Sequence, residues 1–330
     1  MAPPLTEFLT ACIAACTIVR VLTIPAFAGF AVDVPSDRSL HATAMPRTGG
    51  IGLLIGAGVA GVLLPVAGLG LIVGLTAALA AIFFVDDLRG LAVPMRISAQ
   101  VVAATAFVIW GVNLSDRPLL LAFMLVPGIV WCMNAYNFMD GTNGLAGGMA
   151  VFGFGAYAFA GHAADAADLA MVAAAISGAA LGFLIWNFDP ARIFLGDAGS
   201  IALGFLAVVI GLLGWQRGVW PFWFPPLVFS PFALDATVTL LRRALRGEDV
   251  WRAHKSHYYQ RLVRMGWSHR RLSLSAYALM AVAAISALVM RNAPPPIVAA
   301  LLSTWGVAYV VIATVIDRRW SAFQMRSPQP

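Results

Sequence analysis

From Gly68 to Val85 the chain carries no charged residue. The segment FFVDDLRG (Phe83 to Gly90) then places Asp86, Asp87 and Arg89 within four positions. A run of this length matches a bilayer-crossing helix and is about twice the length of a barrel strand. Without water, such a run must satisfy its backbone polar groups internally, which an isolated segment achieves only as a helix. Carboxylates at the end of such a run are costly, so an adjacent pair there is a functional-site hypothesis by default.

Composition extends this constraint to the whole chain. Of the 330 residues 61% are hydrophobic and 11% charged, where a soluble domain carries about 25% charged residues. The longest polar stretch, Arg242 to Arg271, is too short for a separate globular unit, so one integral membrane domain over 1–330 is expected. Cys12, Cys16 and Cys132 all fall in apolar segments and give neither a disulfide framework nor metal spacing. The N-terminus lacks the basic region of a signal peptide and is expected to be a retained first span.

Eleven apolar segments are predicted as spans: roughly 5–27, 49–66, 68–85, 97–113, 118–137, 144–161, 168–186, 199–216, 220–241, 272–290 and 295–316. The count falls to ten if one of the second and third, separated near Gly68 and Gly70, is re-entrant. Loops after odd-numbered spans hold 17 Lys and Arg, including Arg38, Arg47, Arg89, Arg96, Arg192 and nine from Arg242 to Arg271; loops after even-numbered spans hold only Arg117, Arg217 and Arg291. The positive-inside rule puts the odd loops in the cytoplasm and the N-terminus outside. It places four polar clusters on the same cytoplasmic side: Asp86–Asp87, NAYNFMDGTNG (Asn134 to Gly144), FLGDAGS (Phe194 to Ser200) and HKSHYYQRL (His254 to Leu262). The expected architecture is all-α and polytopic, with its loops assembling one cytoplasmic site.

Each cluster has a chemical reading beside a structural one. Asp86 and Asp87 need a divalent cation or an arginine such as Arg89 nearby, since like charges so close disfavour joint ionisation; a solvated span end would be the plain alternative. FLGDAGS leads into the eighth span, expected to begin near Gly199 or Ser200, where helix amides favour phosphate. Gly196 and Gly199 allow close backbone approach, and Asp197 can hold the Mg²⁺ that accompanies a pyrophosphate or act only as an N-cap. Asn137 and Asp140 share a helical face if the fifth span continues that far. Gly141 and Gly144 there would let a flat ring approach, and a polar turn is the alternative. In the basic loop, His254, His257 and Arg261 fall on one helical face around the chain's only lysine, Lys255. That face can clamp a pyrophosphate, and attraction to anionic lipid would explain the basic residues but not the histidines. Asp235, inside the ninth span, is either a structural partner of a basic residue or sits beneath the site. Pro46 and Arg47 form either a basic lip or a positive-inside anchor. Phosphoryl transfer needs positioning and charge neutralisation more than covalent chemistry from the protein, and these clusters supply both.

These motifs resemble those of the polyprenyl-phosphate N-acetylhexosamine-1-phosphate transferases, which include the WecA-type enzymes and the MraY translocase. VPSDRSLHATAMPRTGG looks like the first cytoplasmic loop of that superfamily, and VDDLRGL, NAYNFMDGTNGLAGG and FLGDAGSIALGF match its motifs in order across about residues 33–262. The resemblance implies transfer of a sugar-1-phosphate from a UDP-sugar to undecaprenyl phosphate in the bacterial inner membrane, with release of UMP. It implies Asn137 and Asp197 as ligands of Mg²⁺, with Mn²⁺ able to substitute. Asp86 is implied as the base acting on the lipid phosphate, with Asp87 supporting the site. Phe194, Gly141 and Asn143, with Asp140 beside them, would hold the uracil, and His254, Lys255 and His257 are the candidates for the pyrophosphate. Whether an aspartate or the lipid phosphate attacks stays open.

The family's H-x-H-H pattern is absent, since Tyr258, Tyr259 and Gln260 follow His257. HKSHYYQRL is more similar to the branch that starts O-antigen chains with 6-deoxy-N-acetyl sugars such as FucNAc or QuiNAc. Expected partners are a UDP-N-acetyl sugar, undecaprenyl phosphate and membrane lipid, with no nucleic acid; a homodimer is compatible with the sequence. A lipid-phosphate transporter or an inactive scaffold would share the fold, but the short outward loops and intact aspartates disfavour both.

Overall fold

The computed structural model describes residues 3–35, 43–61, 69–112, 118–250 and 254–326. Arg38, Arg117 and Arg252, which entered the charge count, lie outside the described residues. The order is α1 (Pro3–Leu22), α2 (Pro25–Ala28), β1 (Val32–Asp33), β2 (Met45–Pro46), α3 (Gly49–Gly61), α4 (Leu69–Arg89), α5 (Val93–Gly111) and α6 (Pro118–Phe138). There follow α7 (Leu145–His162), α8 (Ala167–Asn187), α9 (Gly196–Gln216), α10 (Phe224–Val228), α11 (Ser230–Leu245), α12 (Tyr258–Arg264), α13 (His269–Met290) and α14 (Pro295–Arg326).

Seven of these helices, α1, α4, α5, α8, α9, α13 and α14, are long and apolar enough to cross a membrane. The chain is a nearly all-helical, multi-pass membrane protein. Within the described residues each of the eleven predicted segments falls on helix; four differ from expectation, one of them the start of α9, taken up with the site below. The first ends at Leu22 because Pro25 opens the separate α2. The ninth is divided into α10 and α11, each with proline in its first turn, where a missing N–H costs nothing. The last continues to Arg326 rather than stopping near 316. A two-residue antiparallel ribbon, Val32 opposite Pro46 and Asp33 opposite Met45, is the one strand pairing among the described residues.

Glycine spacing explains the packing. In lipid, helices associate through close backbone approach at small residues. On α8, Gly178 and Gly182, four apart, press on the backbone of Phe8 and of Cys12 and Cys16; on α3, Gly52 and Gly56 press on Val19 and Ala15. Thus α1 is wedged between α3 and α8, and two of the cysteines serve as small interface residues. Trp186 Nε1 donates to the Cys16 carbonyl at 3.0 Å and pins the same contact. Helix α9 is the most enclosed of the long helices and α14 the least. Gly199 of α9 meets Gly50 of α3 backbone to backbone, and Gly204 meets Met133 of α6. Everything that positions the site below is built around the N-terminus of α9.

Candidate active site

α9 begins at Gly196, a turn earlier than expected, because its first amides find a partner far away in sequence. The Asp87 carboxylate, at the end of α4, accepts the N–H of Asp197 at 3.1 Å and of Ala198 at 3.2 Å. Asp197 is therefore not the N-cap. Asp87 does that work from a neighbouring helix, and a carboxylate is well placed at a positive helix end. Gly196 has φ +76°, and a Cβ there would overlap the Arg47 carbonyl and lie 2.8 Å from Asp87 Oδ2. Phe194 N–H donates to the Pro46 carbonyl (2.7 Å), and the N–H groups of Gly49 and Gly50 return to the Phe194 and Leu195 carbonyls (3.0 and 2.8 Å). In this way the Pro46–Gly50 segment and FLGDAGS form one backbone-linked unit.

Arg47 and Arg96, not Arg89, answer the aspartate pair. Arg47 reaches Asp87 Oδ1 at 3.5 Å and Asp33 Oδ1 at 2.9 Å, and Arg96 reaches Asp86 Oδ2 at 3.5 Å. Asp86 also accepts the Leu91 N–H just beyond the turn at Gly90. The side chains of Asp86 and Asp87 are 6% and 1% exposed, so these charges depend on their partners.

A cavity of about 560 Å³ opens on this unit. Asp86, Asp87, Asp140, Gly141, Asn143, Phe194 and Asp197 all line it, as do Arg47 and Arg96. Asn137 joins through its side-chain hydrogen bond to Asp197. Asp140 does not share a helical face with Asn137, because α6 stops at Phe138 and the Asp140 N–H closes a turn on the Asn137 carbonyl at 3.0 Å. Burial, and then the facing Asp197 and Asp87, push the Asp140 carboxyl well above the usual carboxylate range. Asn143 donates to Asp189 Oδ1 at 2.9 Å, and Ser273 and Tyr277 bond the carbonyls of Asn143 and Gly144, which fixes the whole turn. Two tyrosines pack on this turn: a Cβ at Gly141 would meet the hydroxyl of Tyr259, and one at Gly144 that of Tyr277, while Gly141 still lines the cavity.

The basic loop is arranged differently from expectation. Helix α12 begins only at Tyr258, so His254 and His257 precede it and share no helical face with Arg261. Their rings still lie 4.8 Å apart. Arg261 is turned away to Asp317 (2.8 Å) and the Ser256 carbonyl (2.8 Å). His254, Lys255 and His257 are not among the residues lining the cavity; from this loop Gln260 is. Asp235 accepts backbone N–H groups, those of Tyr258 and Tyr259 at 2.9 and 3.0 Å, and the basic residue beside it is His257, whose Nδ1 lies 3.4 Å from Oδ1.

Sequence reasoning passed over Arg96, Asp33 and Gln260. Arg96 has a signal, a cation in the first turn of an apolar helix, seven residues after the Arg89 to which the sequence assigns the pairing. Asp33 and Gln260 carry no signal of their own, because only the tertiary fold brings them to the cavity.

The donor set suits a hard divalent cation. The Asp197 carboxylate lines a cavity where Asp86, Asp87 and Asp140 outnumber the arginines, and the Asn137 amide stands beside it as its hydrogen-bond partner. Among the described residues no group of three or more His, Cys, Asp or Glu stands ready to hold a metal alone. Such a partial shell is typical of Mg²⁺, which keeps water and takes one or two carboxylates together with substrate phosphates.

Residues 69–214 match the family model described as glycosyl transferase family 4. A Bacillus subtilis protein described as a probable undecaprenyl-phosphate N-acetylglucosaminyl 1-phosphate transferase is 32% identical over 80% of this chain and 78% of its own length. The Mycobacterium tuberculosis decaprenyl-phosphate N-acetylglucosaminephosphotransferase is 30% identical over 78% of this chain and 75% of its own. A phospho-N-acetylmuramoyl-pentapeptide-transferase from Anoxybacillus flavithermus is 35% identical over 49% of this chain and 47% of its own. With relatives at this identity along most of its length, and with the motif residues gathered on one cavity beside apolar helices, the chain belongs to glycosyl transferase family 4, the WecA- and MraY-type membrane sugar-phosphate transferases.

Proposed function

We propose that this protein transfers a sugar-1-phosphate, from a UDP-linked N-acetylhexosamine or 6-deoxy-N-acetylhexosamine, to undecaprenyl phosphate, releases UMP and thereby primes a surface polysaccharide such as O-antigen. The observation that carries the reading is the convergence of Asp86, Asp87, Asp140 and Asp197 with Arg47 and Arg96 on one cavity. The chain would act as a single integral domain with eleven crossings, its N-terminus outside and its cavity facing the cytoplasm of the bacterial inner membrane.

In this reading Asp197 and Asn137 hold Mg²⁺, which when bound neutralises charge on the diphosphate. Arg96, released from Asp86, steers the lipid phosphate. Asp86 takes that phosphate's remaining proton, a modest task because the second pKa of such a group is about 6. Asp87 caps the start of α9 and so holds Asp197 at the cavity. Phe194, Gly141 and Asn143, with Asp140 beside them, hold the uracil. His254, Lys255 and His257 stand for the pyrophosphate contact, which requires the loop to close over the cavity from its present position.

Mass spectrometry of the lipid fraction tests the reading. Purified protein given undecaprenyl phosphate, Mg²⁺ and a UDP-N-acetyl sugar should yield a lipid diphosphate carrying that sugar. An unchanged lipid fraction with every such donor, from folded protein, would reject it.

A further inference from the structure

In the second turn of α11, Asp235 sits in a segment otherwise uncharged up to Arg242, and both its oxygens are engaged by another element. Oδ1 accepts the Tyr258 N–H at 2.9 Å and Oδ2 the Tyr259 N–H at 3.0 Å. Thr239 Oγ1 adds a third hydrogen bond to Oδ1 at 3.1 Å, and His257 Nδ1 lies 3.4 Å from the same oxygen. These two amides are the first of α12 and would otherwise be orphaned. The carboxylate is thus a cap supplied from another helix, as Asp87 is for α9.

What α12 carries explains why its placement matters. Tyr259 donates its hydroxyl to the Phe138 carbonyl at 3.0 Å and packs directly on Gly141, so α12 buttresses the turn that bears Asp140. The next residue, Gln260, lines the cavity. Its Oε1 is fixed by the His257 N–H at 3.2 Å, and its amide nitrogen bonds the neighbouring Tyr259 hydroxyl, which leaves the second amide N–H as the donor for the cavity. A neutral donor there fits a neutral or anionic oxygen of the nucleotide-sugar.

We infer that Asp235 is a positioning residue: by capping α12 it holds Gln260 in the cavity wall, where the Gln260 amide meets an oxygen of the nucleotide-sugar donor. This rests on the transferase reading above. Acting through Gln260 distinguishes Asp235 from a residue that merely stabilises the fold, because residues working as a unit give non-additive losses.

The test combines steady-state kinetics and amide hydrogen exchange on Asp235→Ala, Asp235→Asn, Gln260→Ala and the double variant Asp235→Ala/Gln260→Ala. Hydrogen bonds to a charged group are each worth enough to change binding about tenfold. Gln260→Ala and Asp235→Ala should each raise KM for the donor about that much, with KM for the lipid unchanged. The double variant should be no worse than Asp235→Ala alone. Asp235→Asn, which keeps one acceptor oxygen, should be intermediate and covers the case in which the alanine variant does not fold. Exchange protection over 258–264 should fall in both Asp235 variants and hold in Gln260→Ala, with α9 unchanged throughout.

UDP and UMP as competitive inhibitors locate the oxygen. A weaker UDP with unchanged UMP in Gln260→Ala places the contact on the outer phosphate; both unchanged places it on the sugar. Weakened UMP would put it on the nucleoside half, still within the donor. Multiplying losses in the double variant, or unchanged protection of α12 in the Asp235 variants, would overturn the inference. A wild-type protein with no turnover on any nucleotide sugar overturns the proposed reaction instead, and the exchange data still decide whether Asp235 holds α12.

Discussion

Asp87 accepts the backbone N–H of Asp197 at 3.1 Å, which locks two carboxylates 110 residues apart in sequence side by side at the start of α9. The cap stabilises the helix end, but it also fixes negative charge beside Asp197 and Asp140. Carboxylates gathered this closely disfavour joint ionisation, which a bound cation would offset.

Asp87→Ala leaves two buried helix-end amides unpaired. A loss of about 2 kcal/mol is expected, read as a lower thermal midpoint in detergent, together with loss of turnover. Asp87→Asn, which retains one acceptor oxygen, should recover part of the stability and little of the activity. Equal stability of wild type and Asp87→Ala would contradict the capping role.

Asp197→Asn removes a metal donor and a like charge while leaving packing almost intact. Turnover should fall to background with stability changed by no more than about 1 kcal/mol. Mg²⁺ should raise the thermal midpoint of the wild type, since a ligand of the folded state stabilises it by mass action, and raise that of Asp197→Asn less. Near-normal turnover in the variant would remove Asp197 from the metal site.

Gly196→Ala combines an unfavourable φ with overlap on the Arg47 carbonyl. It should cost about 2 kcal/mol and displace α9 from the Pro46–Gly50 segment, with severe loss of activity. Gly218, with φ +70° but open space around it, provides the comparison: Gly218→Ala should cost about 1 kcal/mol and leave kcat unchanged.

His254 is held at a pKa of about 4 by burial first and then by His257 and Arg243. The unfolded chain has its ordinary value near 6.5, so between those pH values the unfolded state binds more protons. Stability contributed by the neutral ring is complete above pH 6.5 and is lost as pH falls toward 4. His254→Gln should therefore flatten the decline of the thermal midpoint between pH 6.5 and 4. Parallel curves for the variant and wild type would show that the half-buried His254 ring does not resist protonation in the folded protein.

Lys255→Ala should raise KM for the nucleotide-sugar about tenfold, the loss of one charge-assisted hydrogen bond, with kcat little changed. Unchanged values of both constants would exclude Lys255 from the pyrophosphate contact.

The site was legible in the sequence because charge is scarce in it. Asp86, Asp87, Asp140 and Asp197 stand out against apolar runs, and the glycines around Asp197 mark its close backbone contacts. What could not be read was which group answers which. Arg89 is the neighbour in sequence, yet Arg96 and Arg47 make the pairs, since the turn at Gly90 brings α5 back past the end of α4. The start of α9 was misplaced by a turn because its cap comes from Asp87, and the start of α12 because its cap comes from Asp235. Helix boundaries set by a distant carboxylate leave no local trace. The broken ninth segment did leave one, in Pro225, Pro226 and Pro231, whose spacing divides α10 from α11.

The most direct measurement is UMP release by the detergent-purified protein, given undecaprenyl phosphate, Mg²⁺ and, in turn, UDP-GlcNAc, UDP-QuiNAc and UDP-FucNAc. Release that requires the lipid and the metal, and that occurs with at least one of these sugars, is the predicted result. Folded protein that releases no UMP with any of them, or that releases it equally without lipid, would contradict the account.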